Sequence, residues 1–230
     1  MLAAVPVVSA DTIVYDNTIN FLGAYYNNNG VERGDGMTLA GTDRVVTKIA
    51  LMIHSNASDM SADVTVRLFE RGDELGAEPG AMLWQSELFE QMAFLTGTKL
   101  YDFDVPKVTA PDSLTWTLEL QNVDPPGEGL GPRLMDPPLI GSSKDFVWFH
   151  NPNGTWDQVL GHLFRNNLGA RIEAVPEPGT LVLLAFAAPH LMRRRRARCR
   201  PLTNPTNDEG SDTTACWAAG VEERTCRRTS

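Results

Sequence analysis

ADVTVRLFE, residues Ala62–Glu70, sets Val64, Val66 and Leu68 against Thr65, Arg67 and Phe69. Alternation with a period of two places the first three side chains on one face, the pattern of a half-buried β-strand. The run RVVTKIALMIH, residues Arg44–His54, is equally rich in β-branched residues, whose stiff side chains suit a pleated surface better than a helix. Working outward, similar composition predicts strands at Thr12–Asp16, Phe21–Tyr26, Met82–Phe89, Lys99–Val105, Leu114–Leu120, Phe146–His150 and Ala170–Ala174. Ser86–Leu95 is the one helix contender; it is short and bracketed by strand-like sequence.

The connections carry turn chemistry. Asn27-Asn28-Asn29-Gly30, Gly34-Asp35-Gly36, Arg71-Gly72-Asp73, Pro79-Gly80 and Asn151-Pro152-Asn153-Gly154 combine residues that accept positive φ with residues that bond their own backbone. Asp124–Ser143 holds Pro125, Pro126, Pro132, Pro137 and Pro138, so it is expected to be a surface loop and not a central strand. About nine strands with turns at this spacing predict an all-β domain over residues 11–174. Its expected form is an antiparallel two-sheet sandwich, jelly-roll-like.

Charge and cysteine usage divide the chain at the same place. Residues 1–176 carry 11 Lys and Arg against 23 Asp and Glu, whereas residues 193–200 contain six arginines. An acidic domain repels phosphates and acidic lipids, so no nucleic-acid partner is expected. All three cysteines, Cys199, Cys216 and Cys226, follow the arginine block. The sandwich therefore has no disulfide framework, and about 165 residues build a core large enough to do without one. Cys216 and Cys226 have no His or further Cys at zinc-ligand spacing.

The C-terminal quarter is organised differently. Pro176 and Pro178 flank Glu177, an apolar run occupies Leu181–Met192, and Arg193, Arg194, Arg195 and Arg196 follow without a break. The prolines prevent a helix from starting before about Gly179. The twelve residues Leu181–Met192 would rise about 18 Å as a helix, against a hydrocarbon core of about 30 Å. Pro189 and His190 weaken the run further. Physics alone leaves two readings: a membrane-associated helix with a cytoplasmic basic stop, or a short buried helix before a basic tail.

Pro-Glu-Pro, apolar helix and arginine cluster in that order resemble the PEP-CTERM signal, which exosortase enzymes process on exported proteins of Gram-negative-type bacteria. The resemblance implies that Pro176, Glu177 and Pro178 are the sorting motif over residues 175–198, and that Arg193–Arg196 form the membrane stop. It implies an exosortase-type partner, transient anchoring in the inner membrane, and a destination at the outer surface or in the extracellular matrix of a biofilm. The likeness extends loosely to residues 11–174, since exported β-sandwiches often precede such tags. Members of the family end soon after the arginines, whereas this chain continues through Ser230. Residues 199–230 are polar and without period, which predicts disorder, and a reading-frame or stop-codon artefact is their expected origin. At the other end, Val8-Ser9-Ala10 before Asp11 has the small-residue spacing of a signal-peptidase site. Residues 1–10 are therefore expected to be the remnant of a signal peptide.

No motif of catalysis stands out. There is no Gly-x-Ser-x-Gly elbow, His-Glu-x-x-His helix or phosphate-binding glycine loop, and no cofactor or enzymatic activity is expected. His54 is expected at an exposed strand end, while His150 and His162, with Asp145 and Asp157, are acid–base or metal candidates whose separation the sequence does not fix. Asp102 and Asp104 share a face if Lys99–Val105 is a strand, so they are candidates to flank a sugar or hold a cation. They are also the residues on which a carboxylate-dependent glycan hydrolase would rest. Asp35 and Asp43 are acidic-loop candidates for calcium, without a twelve-residue calcium loop.

Aromatics carry the binding expectation. Trp148, Phe149 and Trp156 surround the Asn-Pro-Asn-Gly turn, and aromatic faces beside amides stack on and bond to sugar rings. Trp148, Trp156 and Asn153 are the candidate glycan-binding residues, with extracellular polysaccharide as the partner. Tyr25 and Tyr26 form a second aromatic candidate. The competing reading makes Trp116 and Trp148 core residues of strands. Asn56 and Asn153 also stand in glycosylation sequons, which mean little in a bacterial host. The leading expectation is an exported, non-catalytic domain with a structural or adhesive task.

Overall fold

Alternating side chains need two apolar faces to bury against each other, and the computed structural model has that arrangement. It describes residues 10–28, 30–70, 78–160 and 167–177. Within them run β1 (Thr12–Asp16), β2 (Phe21–Tyr25), β3 (Glu32–Thr38), β4 (Val45–Ser55), β5 (Met60–Glu70), β6 (Met82–Gln85) and β7 (Phe89–Phe94). They are followed by β8 (Gly97–Thr109), β9 (Ser113–Asp124), β10 (Leu130–Met135), β11 (Ser142–His150), β12 (Trp156–Leu160) and β13 (Ala170–Val175). No helix occurs among the described residues.

The strands form two antiparallel sheets. One has the order β1-β13-β4-β10-β2, with β8 on the other side of β4; the second has the order β12-β11-β3-β9-β5-β6, with β7 also against β5. The chain passes repeatedly from one sheet to the other, which gives a jelly-roll-like sandwich. Val64, Val66 and Leu68 point inward as the period-two pattern requires, and all three are fully buried. They meet Leu118, Trp116 and Leu114 of β9 and, from the opposite sheet, Ile49, Leu51 and Ile53 of β4 with Ile172 and Ala174 of β13. Trp116 is a core residue, as one of the two sequence readings has it.

Four expectations need correction. Met82–Phe89 is not one strand, because Ser86 interrupts it. The Ser86 amide still donates to the Val66 carbonyl at 2.9 Å, but its hydroxyl accepts from the Val66 amide at 3.0 Å and donates to the Glu87 carbonyl at 2.7 Å, so a side chain takes over half of the pairing with β5 between β6 and β7. The helix contender Ser86–Leu95 is correspondingly strand β7 in its second half.

The proline-rich stretch Asp124–Ser143 is not all surface loop. Its middle is β10, which pairs with both β4 and β2. Pro132 fits because it contributes its carbonyl, which accepts from the Tyr26 amide at 3.0 Å, and the pairing shifts register just beyond it.

Gly34-Asp35-Gly36 is not a turn but the centre of β3, bonded to β9 on one side and β11 on the other. A Cβ on Gly34 would lie 2.0 Å from the Trp116 carbonyl oxygen. That close approach is why a strand here contains glycine. β12 is a further strand that the sequence reading does not include, paired residue for residue with β11.

Candidate functional site

The outer face of the seven-stranded sheet gathers the candidate aromatics. Asn151–Thr155 turns the chain from β11 into β12, with Gly154 at φ +85° and the Asn153 Oδ1 accepting from the Thr155 amide and hydroxyl at 3.1 and 2.8 Å. This register puts His150 opposite Trp156 and Trp148 opposite Gln158, all on the outward face. His150 and Trp156 stack at 4.5 Å and 20°, and the edges of Trp148 and Phe69 meet Trp156 at 6.3 and 5.7 Å. Trp148 is only 2 % exposed, so its ring supports the cluster from within. Of the three glycan candidates, Trp156 is half-buried and Asn153 is exposed with its carbonyl oxygen occupied by its own turn.

Beneath the aromatics lies a charged row that the sequence reading missed. Glu32 of β3, Arg67 of β5 and Glu119 of β9 are brought together by sheet register. Arg67 Nη1 lies 2.8 Å from Glu32 Oε1, an ion-pair contact outside hydrogen-bond alignment, and Nη2 bonds Glu119 Oε2 at 2.9 Å. Arg67 Nε also donates to Gln85 at 2.8 Å. Glu32 further accepts from the Thr117 hydroxyl and faces His150 Nδ1 at 3.1 Å. Burial alone would lower the guanidinium pKa, but the flanking carboxylates outweigh it and hold the group above its usual range.

A second arrangement occupies the open edge of the sandwich. Among the described residues β8 pairs only with β4, and no described strand covers its other backbone edge. Where that edge meets β6 and Ser86–Leu88, a cleft of about 360 Å³ opens. Trp84, Phe89 and Phe103 supply its apolar surface, and Glu87, Asp102 and Asp104 supply carboxylates. Phe89 and Phe103 close the gap between the sheets behind it, with ring centroids 5.6 Å apart. Asp102 and Asp104 do flank the buried Phe103 and are both exposed, as alternation on a strand requires. An aromatic ring beside outward carboxylates can stack on a sugar and accept its hydroxyl protons.

The remaining candidates fall into structural roles. His54 is the penultimate residue of β4 and its ring lies tilted at 48° against Tyr25, 4.5 Å between centroids; burial and then the Arg133 guanidinium hold its imidazole below the usual value. Tyr26 and Phe149 both face the Arg33 guanidinium, whose carbon is 5.0 and 4.2 Å from their ring centroids. His162, Pro178, the apolar run Leu181–Met192, Arg193–Arg196, residues 199–230 with their cysteines, and residues 1–9 lie outside the described residues. Among the described residues, no three His, Cys, Asp or Glu side chains converge as a metal-ligand set, and no helix is long and apolar enough to cross a membrane.

The class the geometry defines is thus a jelly-roll-like sandwich with an aromatic outer face and an acidic edge cleft. No protein-family model, curated protein or solved structure matches the chain.

Proposed function

We propose that the chain is an exported, non-catalytic protein of the cell surface or extracellular matrix, delivered by a PEP-CTERM-like signal and processed by an exosortase-type enzyme. One observation carries the reading. β13 is bonded on both sides, by β1 and β4, up to its last residues, and Pro176 and Glu177 follow at once, with Glu177 exposed. All thirteen described strands therefore precede the motif, so cleavage there leaves each of them in the mature chain. Pro176 also ends the strand chemically, since it has no amide to continue the ladder.

Fractionation of the native host tests this. The wild-type chain is expected in the surface or matrix fraction, and the variant Pro176→Ala/Glu177→Ala/Pro178→Ala is expected to stay uncleaved with the inner membrane. Equal distribution of the two chains would overturn the proposal.

A second reading, polysaccharide binding, is favoured by the edge cleft more than by the Trp148–Trp156 cluster. Trp84 stands beside three outward carboxylates, whereas one face of Trp156 is covered by His150. On a glycan array Trp84→Ala is expected to weaken binding about tenfold, the loss of one aromatic stacking contact. Trp156→Ala is expected to change it less. Full retention of binding in Trp84→Ala would remove the cleft from the account.

A further inference from the structure

We propose that the sandwich binds one calcium ion in its interior, held by the carboxylates of Asp35 and Asp136 and the amide oxygens of Asn17 and Asn167. These residues come from β3, from the chain just after β1 and β10, and from the segment leading into β13. The Leu168 backbone ties them together. Its amide donates to Asp35 Oδ2 at 2.8 Å, and its carbonyl accepts from Asn17 Nδ2 at 3.3 Å. Asn17 Nδ2 also donates to the Met135 carbonyl at 2.9 Å, and Asn167 Nδ2 donates to Asp136 Oδ1 at 2.6 Å. Both amides are thereby fixed in orientation, since only their nitrogens can serve carbonyl and carboxylate acceptors.

What remains is a set of buried oxygens with nothing to accept. Asp35 Oδ1, Asn17 Oδ1 and Asn167 Oδ1 have no hydrogen-bond partner, and Asp35, Asn17 and Asn167 are each at most 1 % exposed. The Tyr15 hydroxyl borders the same place, within hydrogen-bonding reach of Ser143 and Asn17. Interiors rarely leave one such atom unpaired, so three on fully buried side chains that one backbone segment ties together indicate an occupant.

The chemistry of the donors selects the occupant. They are oxygens only, without thiolate or imidazole, which suits a hard cation and not zinc. Two carboxylates balance a divalent charge. Burial, reinforced by the charges of Asp136 and Asp145 and opposed by the Leu168 and Gly36 amides, holds the Asp35 carboxyl well above its usual range. A cation at Oδ1 would relieve that cost by supplying the missing opposite charge. Amide, hydroxyl and carboxylate oxygens in irregular number fit calcium, which accepts six to eight ligands, better than magnesium, which demands near-ideal octahedral geometry.

The test uses the full chain after chelator treatment. Elemental analysis following dialysis against calcium should find one ion per chain. Calcium at about a hundred times its dissociation constant should raise the melting temperature by about 5–10 °C, and magnesium at the same concentration should not. Asp35→Asn should abolish the shift yet fold without metal, because it removes a buried charge at constant shape; Asp43→Asn should leave the shift intact. Terbium bound to the wild-type chain should show emission sensitised through Tyr15 and be displaced by calcium, a readout that does not depend on the variants folding. No bound metal and no shift would overturn the proposal and leave buried water or a protonated Asp35 as the occupant. An undiminished shift in Asp35→Asn would also overturn it.

Discussion

Gly34→Ala is expected to destabilise the sandwich severely, although it adds a single methyl group. The new Cβ would stand 2.0 Å from the Trp116 carbonyl oxygen and 2.7 Å from Thr117 Cγ2, well inside van der Waals contact. The first of these atoms is backbone and cannot rotate away. Relief would require β3 and β9 to separate in the middle of the seven-stranded sheet, where β3 is held on both sides. Trp116, fully buried behind that carbonyl, would move with it. A loss above about 4–5 kcal/mol is expected, against a total stability of about 5–15 kcal/mol for a domain of this kind. Gly154→Ala is the control. It has open space around its Cβ but a φ of +85°, so it should cost only about 1–2 kcal/mol. Urea unfolding of the two variants checks the contrast, and a soluble, cooperative Gly34→Ala would show that the strands are not so closely apposed.

Arg67→Ala is expected to cost about 3–5 kcal/mol, because it leaves Glu32 buried without its cation. Glu32 is 6 % exposed and would retain only Thr117 and His150 as partners. Glu119 loses its charged partner as well. Replacing the pair together by groups of similar shape should be far milder, because neither charge then remains to be solvated. Arg67→Met with Glu32→Gln is therefore expected to recover most of the loss. A thermodynamic cycle of the two single variants and the double variant measures this. Additive losses would contradict the coupling that the 2.8 Å contact implies.

Ala62–Glu70 and Arg44–His54 read correctly, the first by its alternation and the second by its β-branched residues, although Ile49, Ala50 and Leu51 of the second are all buried. β3 did not, since Glu32, Gly34, Asp35 and Gly36 have turn-like composition for reasons that lie elsewhere: Gly34 makes room for β9, and Asp35 enters the core. β10 was hidden by Pro132, which costs a strand less when the pairing is short and irregular. Register explains what the sequence showed and hid at the site. Trp148, His150 and Trp156 share a hairpin, so their proximity was readable from the turn between them. Glu32, Arg67 and Glu119 come from three strands far apart in sequence, and only the alignment of β3, β9 and β5 brings them into one row. The acidic edge cleft was half-visible: Asp102 and Asp104 share a face by alternation, but Trp84 reaches them only because Ser86 breaks the strand after it.

These features describe a two-sheet sandwich that has no cysteine among its described residues and presents an aromatic face and an acidic cleft outward. In the proposed account, its last strand stops where a sorting signal begins. Mass spectrometry of the mature protein from its native host tests this most directly. The account predicts a surface-associated chain whose C-terminus lies at Pro176–Pro178. Recovery of peptides from Leu202–Arg224 in the same surface fraction would contradict it.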